Sequence, residues 1–333
     1  MTLPAPAVDV PPQPWTGRFD ADGDEHRRWW QAVSTYTHPD GDDGGARAVP
    51  PEPAASTEPA ASRPAVILGF ASDEGVRRNK GRTGAAQAPA AIRAALGPLA
   101  FHLDRAVSDA GDIVVSDGAL EAGQDRAGQA ITSMLDGGSL TVVLGGGHET
   151  AFASYLGVAA SEAVRGGGRL GVLNLDAHFD LRQETRPGSG TPFLQMAEAE
   201  AAAGRELKYA VVGISEPNNT RALFVTAKRL GVQYVLDEDC TAERVETFVA
   251  QFVDSVDVLY LTIDLDVLPA SVAPGVSAPA AYGVPLPVIS ALCRQVAGSG
   301  KLLHLDVAEL YPKFDIDGRT AKVAARLVNT LLR

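Results

Sequence analysis

Short runs of large apolar residues alternate with longer Ala-rich stretches along most of the chain, beginning near residue 63. This alternation is typical of a parallel β-sheet whose two faces are covered by helices. Apolar residues at helical spacing predict helices over 242–256 and over the last segment, from 323 to 331. The apolar runs predict strands at 65–71, 140–145, 169–176, 208–214, 232–236, 257–266 and 302–308.

The N-terminal part of the chain has a different pattern. Eleven of the 22 prolines lie within the first 64 residues, and residues 40–63 contain almost no large apolar side chain. We therefore predict a Pro/Ala/Gly-rich linker over 40–63. Residues 1–39 contain all three tryptophans of the chain, Trp15, Trp29 and Trp30. Because such large apolar surfaces are costly to leave in water, we predict that 1–39 is an arm docked on a single α/β domain at 64–333.

Composition narrows the class of protein. The chain has 333 residues, of which 45% are hydrophobic and 21% charged, so it can form a globular core. Its net charge of −12 disfavours binding to nucleic acid or to an anionic membrane surface. Two distant cysteines, Cys240 and Cys293, build neither a disulfide scaffold nor a zinc knuckle. No signal peptide or membrane-spanning run is visible, and we expect a soluble, cytoplasmic protein.

The first candidate site follows the predicted strand at 140–145, where the chain reads GGGHE at 145–149. The glycines allow a sharp turn that brings His148 close to another group. A phosphate-binding loop is an alternative, but the Gly-Lys-Ser/Thr ending of such loops is missing. By itself, a lone histidine here is more often a hydrogen-bonded structural residue than a metal ligand.

The second candidate site is NLDAHFDLR at 174–182, in which Asp176, His178 and Asp180 occupy alternate positions. In an extended segment these three side chains would face the same side. Two unpaired carboxylates and an imidazole would be costly to bury, and a divalent cation would remove that cost. Mixed carboxylate and imidazole ligands suit zinc, iron or manganese, and a carboxylate-rich set favours the harder ions.

The third candidate site is Asp264 and Asp266, two residues apart at the end of the predicted strand 257–266. A Pro- and Gly-rich stretch follows and is typical of an active-site loop. For this pair alone, an exposed acidic turn is at least as good an interpretation as a metal site. Because the three sites together provide six ligands, more than one catalytic zinc needs, we predict a two-metal centre with bridging carboxylates.

These three motifs resemble the signature motifs of the ureohydrolase superfamily, which contains the arginases and agmatinases. The resemblance implies a three-layer αβα arginase-like fold with a central parallel sheet and a site at the carboxyl ends of the strands. Four further stretches resemble the formimidoylglutamase branch of the superfamily; they lie at 77–93, 189–193, 213–220 and 306–327.

The resemblance also implies a ligand set for two Mn2+ ions per subunit. One ion would be held by His148, Asp176, Asp180 and Asp264. The other would be held by His178, Asp176, Asp264 and Asp266. In the family mechanism a metal-bridging hydroxide attacks the carbon of a guanidinium or amidine, and the residue at the position of Asp180 passes the proton to the departing amine. Glu309 matches the carboxylate that holds the cationic nitrogen group of the substrate.

One departure separates this chain from the arginases and agmatinases. Where they carry a histidine followed by Gly-x-Pro, this chain has SGTP, beginning at Ser189. A substrate with two carboxylates needs cations and amide donors at the mouth of the site. The candidates for contact with the substrate are Arg182, Asn79, Arg82, Ser189 and Asn219. For Arg82 and Asn219 a structural role is at least as good an interpretation.

The resemblance implies hydrolysis of N-formimidoyl-L-glutamate to L-glutamate and formamide in histidine degradation. The alternatives are another ureohydrolase, such as a guanidinobutyrase or an agmatinase, or a metal-binding protein that has lost catalysis. We expect a small-molecule substrate and no nucleic-acid or membrane partner. The family resemblance implies a homo-oligomer, either a trimer or a hexamer.

Overall fold

The computed structural model describes residues 7–38 and 63–333, so the predicted linker lies outside the described residues apart from Arg63. The described strands form one sheet in which every neighbouring pair is parallel, in the order β1-β3-β2-β4-β9-β8-β5-β6-β7. The strands are β1 (Ser34–Thr35), β2 (Ala65–Ala71), β3 (Val107–Val114), β4 (Leu140–Leu144), β5 (Leu170–Leu175), β6 (Lys208–Ile214), β7 (Gln233–Leu236), β8 (Val258–Asp264) and β9 (Leu302–Ala308).

All the predicted strands are confirmed, with ends that differ by no more than two residues. Two strands, β3 and the short β1, were not predicted. The sequence of β3, VSDAGDIV, is interrupted by acidic residues and a glycine, so it lacks the apolar run that marks the other strands. Its acids are used in the fold, since the Arg93 guanidinium pairs with both Asp109 and Asp112.

Helices cover both faces of the sheet. One apolar layer packs against α3, α9, α10 and α11, and the other packs against α4, α5 and α7. The described helices are α1 (Trp29–Ala32), α2 (Glu74–Arg78), α3 (Ala88–Leu96), α4 (Leu120–Asp136), α5 (Thr150–Ala159), α6 (Glu162–Arg165), α7 (Pro192–Ala202), α8 (Arg221–Arg229), α9 (Ala242–Asp254), α10 (Leu286–Gly298) and α11 (Arg319–Leu331). The three-layer αβα architecture predicted from the family resemblance is therefore confirmed. Among the described residues, no helix has both the length and the apolar character needed to cross a membrane.

The described part of the N-terminal segment, residues 7–38, lies against the rest of the molecule. Trp29 is completely buried, and its indole Nε1 donates to Asn329 Oδ1 of α11 at 2.9 Å. Trp15 stacks on Trp29 with ring centroids 6.2 Å apart and donates to Asp109 Oδ2 at 2.8 Å. Strand β1 extends the sheet by pairing with β3. The segment therefore contributes apolar surface and an edge strand to the fold.

Candidate metal centre and substrate pocket

The predicted site residues follow four adjacent strands in the middle of the sheet, in the order β4-β9-β8-β5. His148 follows β4, Glu309 follows β9, Asp264 ends β8 and Asp176 follows β5. Because all four strands are parallel, their carboxyl ends meet at one edge of the sheet, which is where open α/β sheets bind ligands. The chain thus brings together residues that are up to 161 positions apart, as in the hydrogen bond from the His148 backbone N–H to Glu309 Oε1 at 2.9 Å.

The loop that carries His148 depends on its glycines. A Cβ on Gly146 would lie only 1.7 Å from the carbonyl oxygen of Ser72, so this position accepts no side chain. The Gly147 N–H donates to the same carbonyl at 3.0 Å, which fixes the turn. The close approach of two backbones, rather than a phosphate site, therefore explains the glycine run.

The segment from Asp176 to Asp180 is not extended, which corrects the geometry expected from its alternating pattern. Strand β5 ends at Leu175, and Asp180 adopts a left-handed conformation with φ of 48°. The His178 backbone N–H donates to Asp176 Oδ1 at 2.6 Å, so the chain turns sharply here. The three polar side chains converge because of this turn and not because they share one face of a strand.

The pair Asp264 and Asp266 requires a similar correction. Asp264 is the last residue of β8, and Leu265–Val267 form a single turn of 3-10 helix. The Asp266 backbone N–H donates to Asp264 Oδ1 at 2.8 Å, as in an Asx turn. The two carboxylates are brought together by the turn rather than by strand alternation.

A first group of possible ligand atoms surrounds His148. Its Nδ1 lies 3.1 Å from Asp176 Oδ2 and 3.3 Å from Asp264 Oδ2. These three side chains are all buried, and their ligand atoms lie within 4.8 Å of one another. Asp180 Oδ2 also lies 3.0 Å from His148 Nδ1, but Asp180 is not part of the group whose ligand atoms all lie within 4.8 Å of one another.

A second group surrounds His178. Its Nδ1 lies 3.4 Å from Asp176 Oδ1 and 3.1 Å from Asp266 Oδ2. Asp176 therefore takes part in both groups, with one carboxylate oxygen facing each histidine. The structure brings together all six predicted ligands. Asp176 belongs to both groups, whereas Asp264 belongs only to the first, although the family resemblance implies it for both ions.

The electrostatics of this cluster test whether it fits divalent cations. Burial, followed by the neighbouring Asp266 and Asp176, raises the pKa of Asp264 well above its ordinary value. Burial and the charge of Asp176 also raise the pKa of Asp180. Burial alone would lower the pKa of His148, but its hydrogen bonds with Asp176 and Asp180 raise it well above the ordinary value. The raised pKa values of Asp264, Asp180 and His148 reflect an excess of carboxylates over positive charges at a buried site, which divalent cations would balance, so the residues present fit a metal centre.

Glu309 lies at the floor of the same pocket and is almost completely buried. Besides the His148 N–H, it accepts a hydrogen bond from the Ser277 hydroxyl at 2.5 Å. Its backbone is also left-handed, with φ of 68°, an unusual conformation for a glutamate. Burial and the nearby Glu149 raise the pKa of Glu309 to about 8, against the effect of its two hydrogen bonds.

Three of the predicted substrate contacts form one cluster beside the metal residues. Asn79 Oδ1 accepts from Arg182 Nη1 at 2.9 Å, and Asn79 Nδ2 donates to Ser189 Oγ at 3.1 Å. Together with the metal residues and Glu309, they line a pocket of about 150 Å³. Asn79 and Arg182 also line an adjoining, wider cavity of about 490 Å³, so they stand at the passage between the two.

The other two predicted substrate contacts lie elsewhere. Asn219 is buried, and both ends of its amide are used: Oδ1 accepts from the Phe179 N–H, and Nδ2 donates to the carbonyls of Ala177 and Ser215. It therefore holds the loop that carries the metal residues. Arg82 stacks over the Phe314 ring at 5.0 Å and is not among the residues lining either pocket. Neither residue lines the pocket beside the metal residues.

Two site residues were missed by sequence reasoning. Ser277 belongs to the Pro- and Gly-rich stretch interpreted as an active-site loop, but nothing in its local pattern indicated a hydrogen bond to Glu309. Glu149 is completely buried and accepts from the Ser72 hydroxyl at 2.7 Å and the Gly75 N–H at 2.9 Å. It thereby ties the metal-binding loop to α2, the helix directly before Asn79. The sequence signal that could have identified Glu149 is its position directly after His148, just past the end of a buried strand.

Comparison with known proteins agrees with this geometry. Residues 63–333 match the model of the arginase family, and the chain belongs to that family. The resemblance deduced from the three motifs is thereby confirmed.

Within the family, proteins that are about half identical to this chain include formimidoylglutamases. The chain is 51% identical to a formimidoylglutamase of Rhodococcus opacus, over 97% of this chain and 96% of that protein. It is 52% identical to a formimidoylglutamase of Nocardia farcinica, over 96% and 95% of the two chains. Among solved structures, it resembles a formiminoglutamase of Trypanosoma cruzi, determined with Mn2+, at 27% identity and a TM-score of 0.70, over 81% of this chain and 92% of that one.

Proposed function

We propose that this protein is a formimidoylglutamase, which hydrolyses N-formimidoyl-L-glutamate to L-glutamate and formamide with two Mn2+ ions. One observation carries the proposal. Positively charged side chains that have no carboxylate partner lie beside a pocket that contains several buried carboxylates. The similarity over nearly the full length of the Rhodococcus and Nocardia proteins supports it.

The two groups of ligand atoms correspond to the two ions. His148, Asp176 and Asp264 would hold one ion, together with Asp180, and Asp176, His178 and Asp266 would hold the other. When bound, such ions lower the pKa of a water molecule toward neutrality and stabilise negative charge on the reacting carbon centre.

The side chains around the pocket divide the remaining work. Glu309 is fixed by the His148 N–H and the Ser277 hydroxyl, so its carboxylate is held in place to bind the cationic amidine of the substrate. Asp180 Oδ2 faces His148, whereas the described residues provide no hydrogen-bond donor to Oδ1. That oxygen accepts the proton of the attacking water and delivers it to the glutamate nitrogen as the carbon–nitrogen bond breaks.

Charge at the mouth favours a dicarboxylate substrate. The charged residues that line the wider cavity are five cations and one acid: Arg77, Arg78, Lys80, Arg182, Arg186 and Glu184. Arg77 and Arg78 pair with Glu74, but no carboxylate of the described residues lies within 4.0 Å of the other three cations. In a chain of net charge −12, this positive patch attracts an anion locally and repels arginine or agmatine. Arg182 and Asn79 therefore hold a substrate carboxylate while the amidine reaches Glu309.

A substrate panel tests the proposal directly. The manganese-loaded protein should hydrolyse N-formimidoylglutamate with a kcat/KM at least about tenfold above that for arginine, agmatine or guanidinobutyrate, since one charge-assisted hydrogen bond alone contributes about 1.5–3 kcal/mol. The assay should detect both glutamate and formamide, because their equal release identifies which bond is broken. Substantial hydrolysis of arginine or agmatine, with little glutamate released from N-formimidoylglutamate, would contradict the proposal.

A further inference from the structure

A chain of buried hydrogen bonds runs from His148 into the sheet, on the side of the imidazole away from the carboxylates. His148 Nε2 lies 3.0 Å from the hydroxyl of Thr262, a residue of β8. The same hydroxyl donates to Asp306 Oδ1, on the neighbouring strand β9, at 2.6 Å. All three side chains are almost completely inaccessible to solvent, so water does not compete for these bonds.

The donor of each bond follows from counting hydrogens. Asp306 Oδ2 accepts a hydrogen bond from the Tyr260 hydroxyl at 2.5 Å, so both oxygens of the carboxylate act as acceptors. Although burial raises the pKa of Asp306, its contacts with His304, Thr262 and Tyr260 keep that pKa below the ordinary value. Thr262 has a single hydroxyl hydrogen and gives it to Asp306. The Thr262 oxygen can then only accept from His148, which requires a hydrogen on Nε2.

We propose that Thr262 and Asp306 are positioning residues that place the imidazole hydrogen of His148 on Nε2 and leave the lone pair of Nδ1 for a metal ion. The inference rests on the proposed metal-dependent function. On the other side of the ring, Nδ1 lies 3.0–3.3 Å from carboxylate oxygens of Asp176, Asp180 and Asp264, the residues that would hold the same ion, so an ion held by them would also be within reach of the Nδ1 lone pair. The same bonds fix the plane of the ring, so one buried chain sets both the direction and the tautomer of the ligand.

Two substitutions at one position separate this role from simple packing. Thr262→Val keeps the shape of the side chain but removes the hydroxyl, leaving His148 Nε2 and Asp306 Oδ1 without this partner. Thr262→Ser keeps the hydroxyl and removes only the methyl group. When a metal-binding histidine loses the group that hydrogen-bonds to its other ring nitrogen, its metal affinity falls by about 10–100-fold. We expect a loss of that size for Thr262→Val.

Thr141→Val is a matched control. Thr141 is also a completely buried threonine in a central strand, β4, but its hydroxyl bonds to His304 Nδ1 at 2.6 Å and not to His148. The same chemical change is thus made on β4, which is separated from β8 by β9, without removing a hydrogen bond of His148. We expect Thr141→Val to bind manganese like the wild type.

The experiment is a manganese titration of the full-length protein in competition with a chelator, with stability measured separately by urea unfolding in excess chelator. We expect Thr262→Val to lose affinity for the ion at His148, so that it retains one ion where the wild type retains two, whereas Thr262→Ser stays near the wild type. Wild-type affinity at both sites in folded Thr262→Val, or equal losses in the Ser and Val variants, would overturn the inference. A wild-type protein that binds no manganese would instead overturn the proposed function.

Asp306→Asn keeps the inference testable if Thr262→Val does not fold. It removes the charge that orients the Thr262 hydroxyl and nearly preserves the shape of the side chain. We expect weaker manganese binding at the His148 site than in the wild type, and unchanged affinity in this variant would overturn the inference.

Discussion

Arg182 offers the sharpest test of how the substrate is held. Its guanidinium is exposed, and one of its N–H groups donates to Asn79 at 2.9 Å. Its backbone N–H donates to the Gly190 carbonyl at 3.0 Å, and a Cβ on Gly190 would lie 3.1 Å from Arg182 Cδ. The side chain is therefore oriented at the mouth of the pocket with donors left over for a carboxylate.

Two substitutions separate charge from geometry. Arg182→Lys keeps the positive charge but loses the planar fork, whereas Arg182→Met keeps much of the length and loses both. A charge-assisted hydrogen bond contributes about 1.5–3 kcal/mol. Because Arg182 is exposed and solvent screens it, we count a single such bond, and expect kcat/KM for N-formimidoylglutamate to fall about 10- to 150-fold in Arg182→Met. Arg182→Lys should fall between Arg182→Met and the wild type.

The assay compares two substrates on one preparation of each variant, N-formimidoylglutamate and an N-alkylformamidine without carboxylates, and measures bound manganese in parallel. Only the first substrate should be affected, with metal content unchanged. Arg169→Met is the control, because Arg169 pairs with Asp257 at the amino ends of β5 and β8, whereas the site lies at the carboxyl ends of these strands. If both substrates suffered equally and manganese were lost, Arg182 would instead neutralise the acidic cluster, and the reasoning about the substrate carboxylate would be refuted.

Four further predictions concern the metals, the proton, the branch of the family and the N-terminal segment. Elemental analysis should find two manganese ions in the wild type, about one in His178→Ala and none in Asp176→Ala, since Asp176 belongs to both groups of ligands; two ions in Asp176→Ala would contradict this. In metal-loaded Asp180→Asn, turnover should fall by about 10²–10⁴-fold because the amide cannot carry the proton, and near-native turnover would show that the role is misassigned. Ser189→Ala should reduce turnover far less than loss of any metal ligand, and Ser189→His should not hydrolyse arginine; arginase activity in that variant would argue against the branch. Trp29→Ala should lower the free energy of unfolding by about 3–5 kcal/mol, measured in urea, while Trp30→Ala, which is only partly buried, should cost clearly less.

The sequence by itself determined the class of fold and the chemistry of the site. Apolar runs predict strands well here because strands covered on both faces need large apolar residues at nearly every position. The same run is absent from β3, where Asp109 and Asp112 are matched by Arg93 from a helix, and this strand was missed. An ion pair between two different segments of the chain produces no periodic pattern in the local sequence of either segment.

The predicted ligands were brought together, but not by the local geometry that their spacing indicated. Alternation at 176–180 and at 264–266 predicts one face of a strand, whereas both segments are turns. Buried carboxylates need compensating charge whether the backbone is an extended strand or a turn. For this reason the ligand set could be predicted from the sequence, whereas its geometry could not.

Only the tertiary structure decided which residues surround that chemistry. Strands β9 and β8 lie between β4 and β5 although they come last in the chain, and this order places Glu309 beside His148. Asn79 meets Arg182 across 103 positions, and Asp306 reaches His148 through Thr262 from another strand. Such contacts depend on how the strands are ordered and how the loops turn, which long-range packing determines. The amino-acid pattern therefore specifies which side chains need partners, and the fold specifies which partners they have.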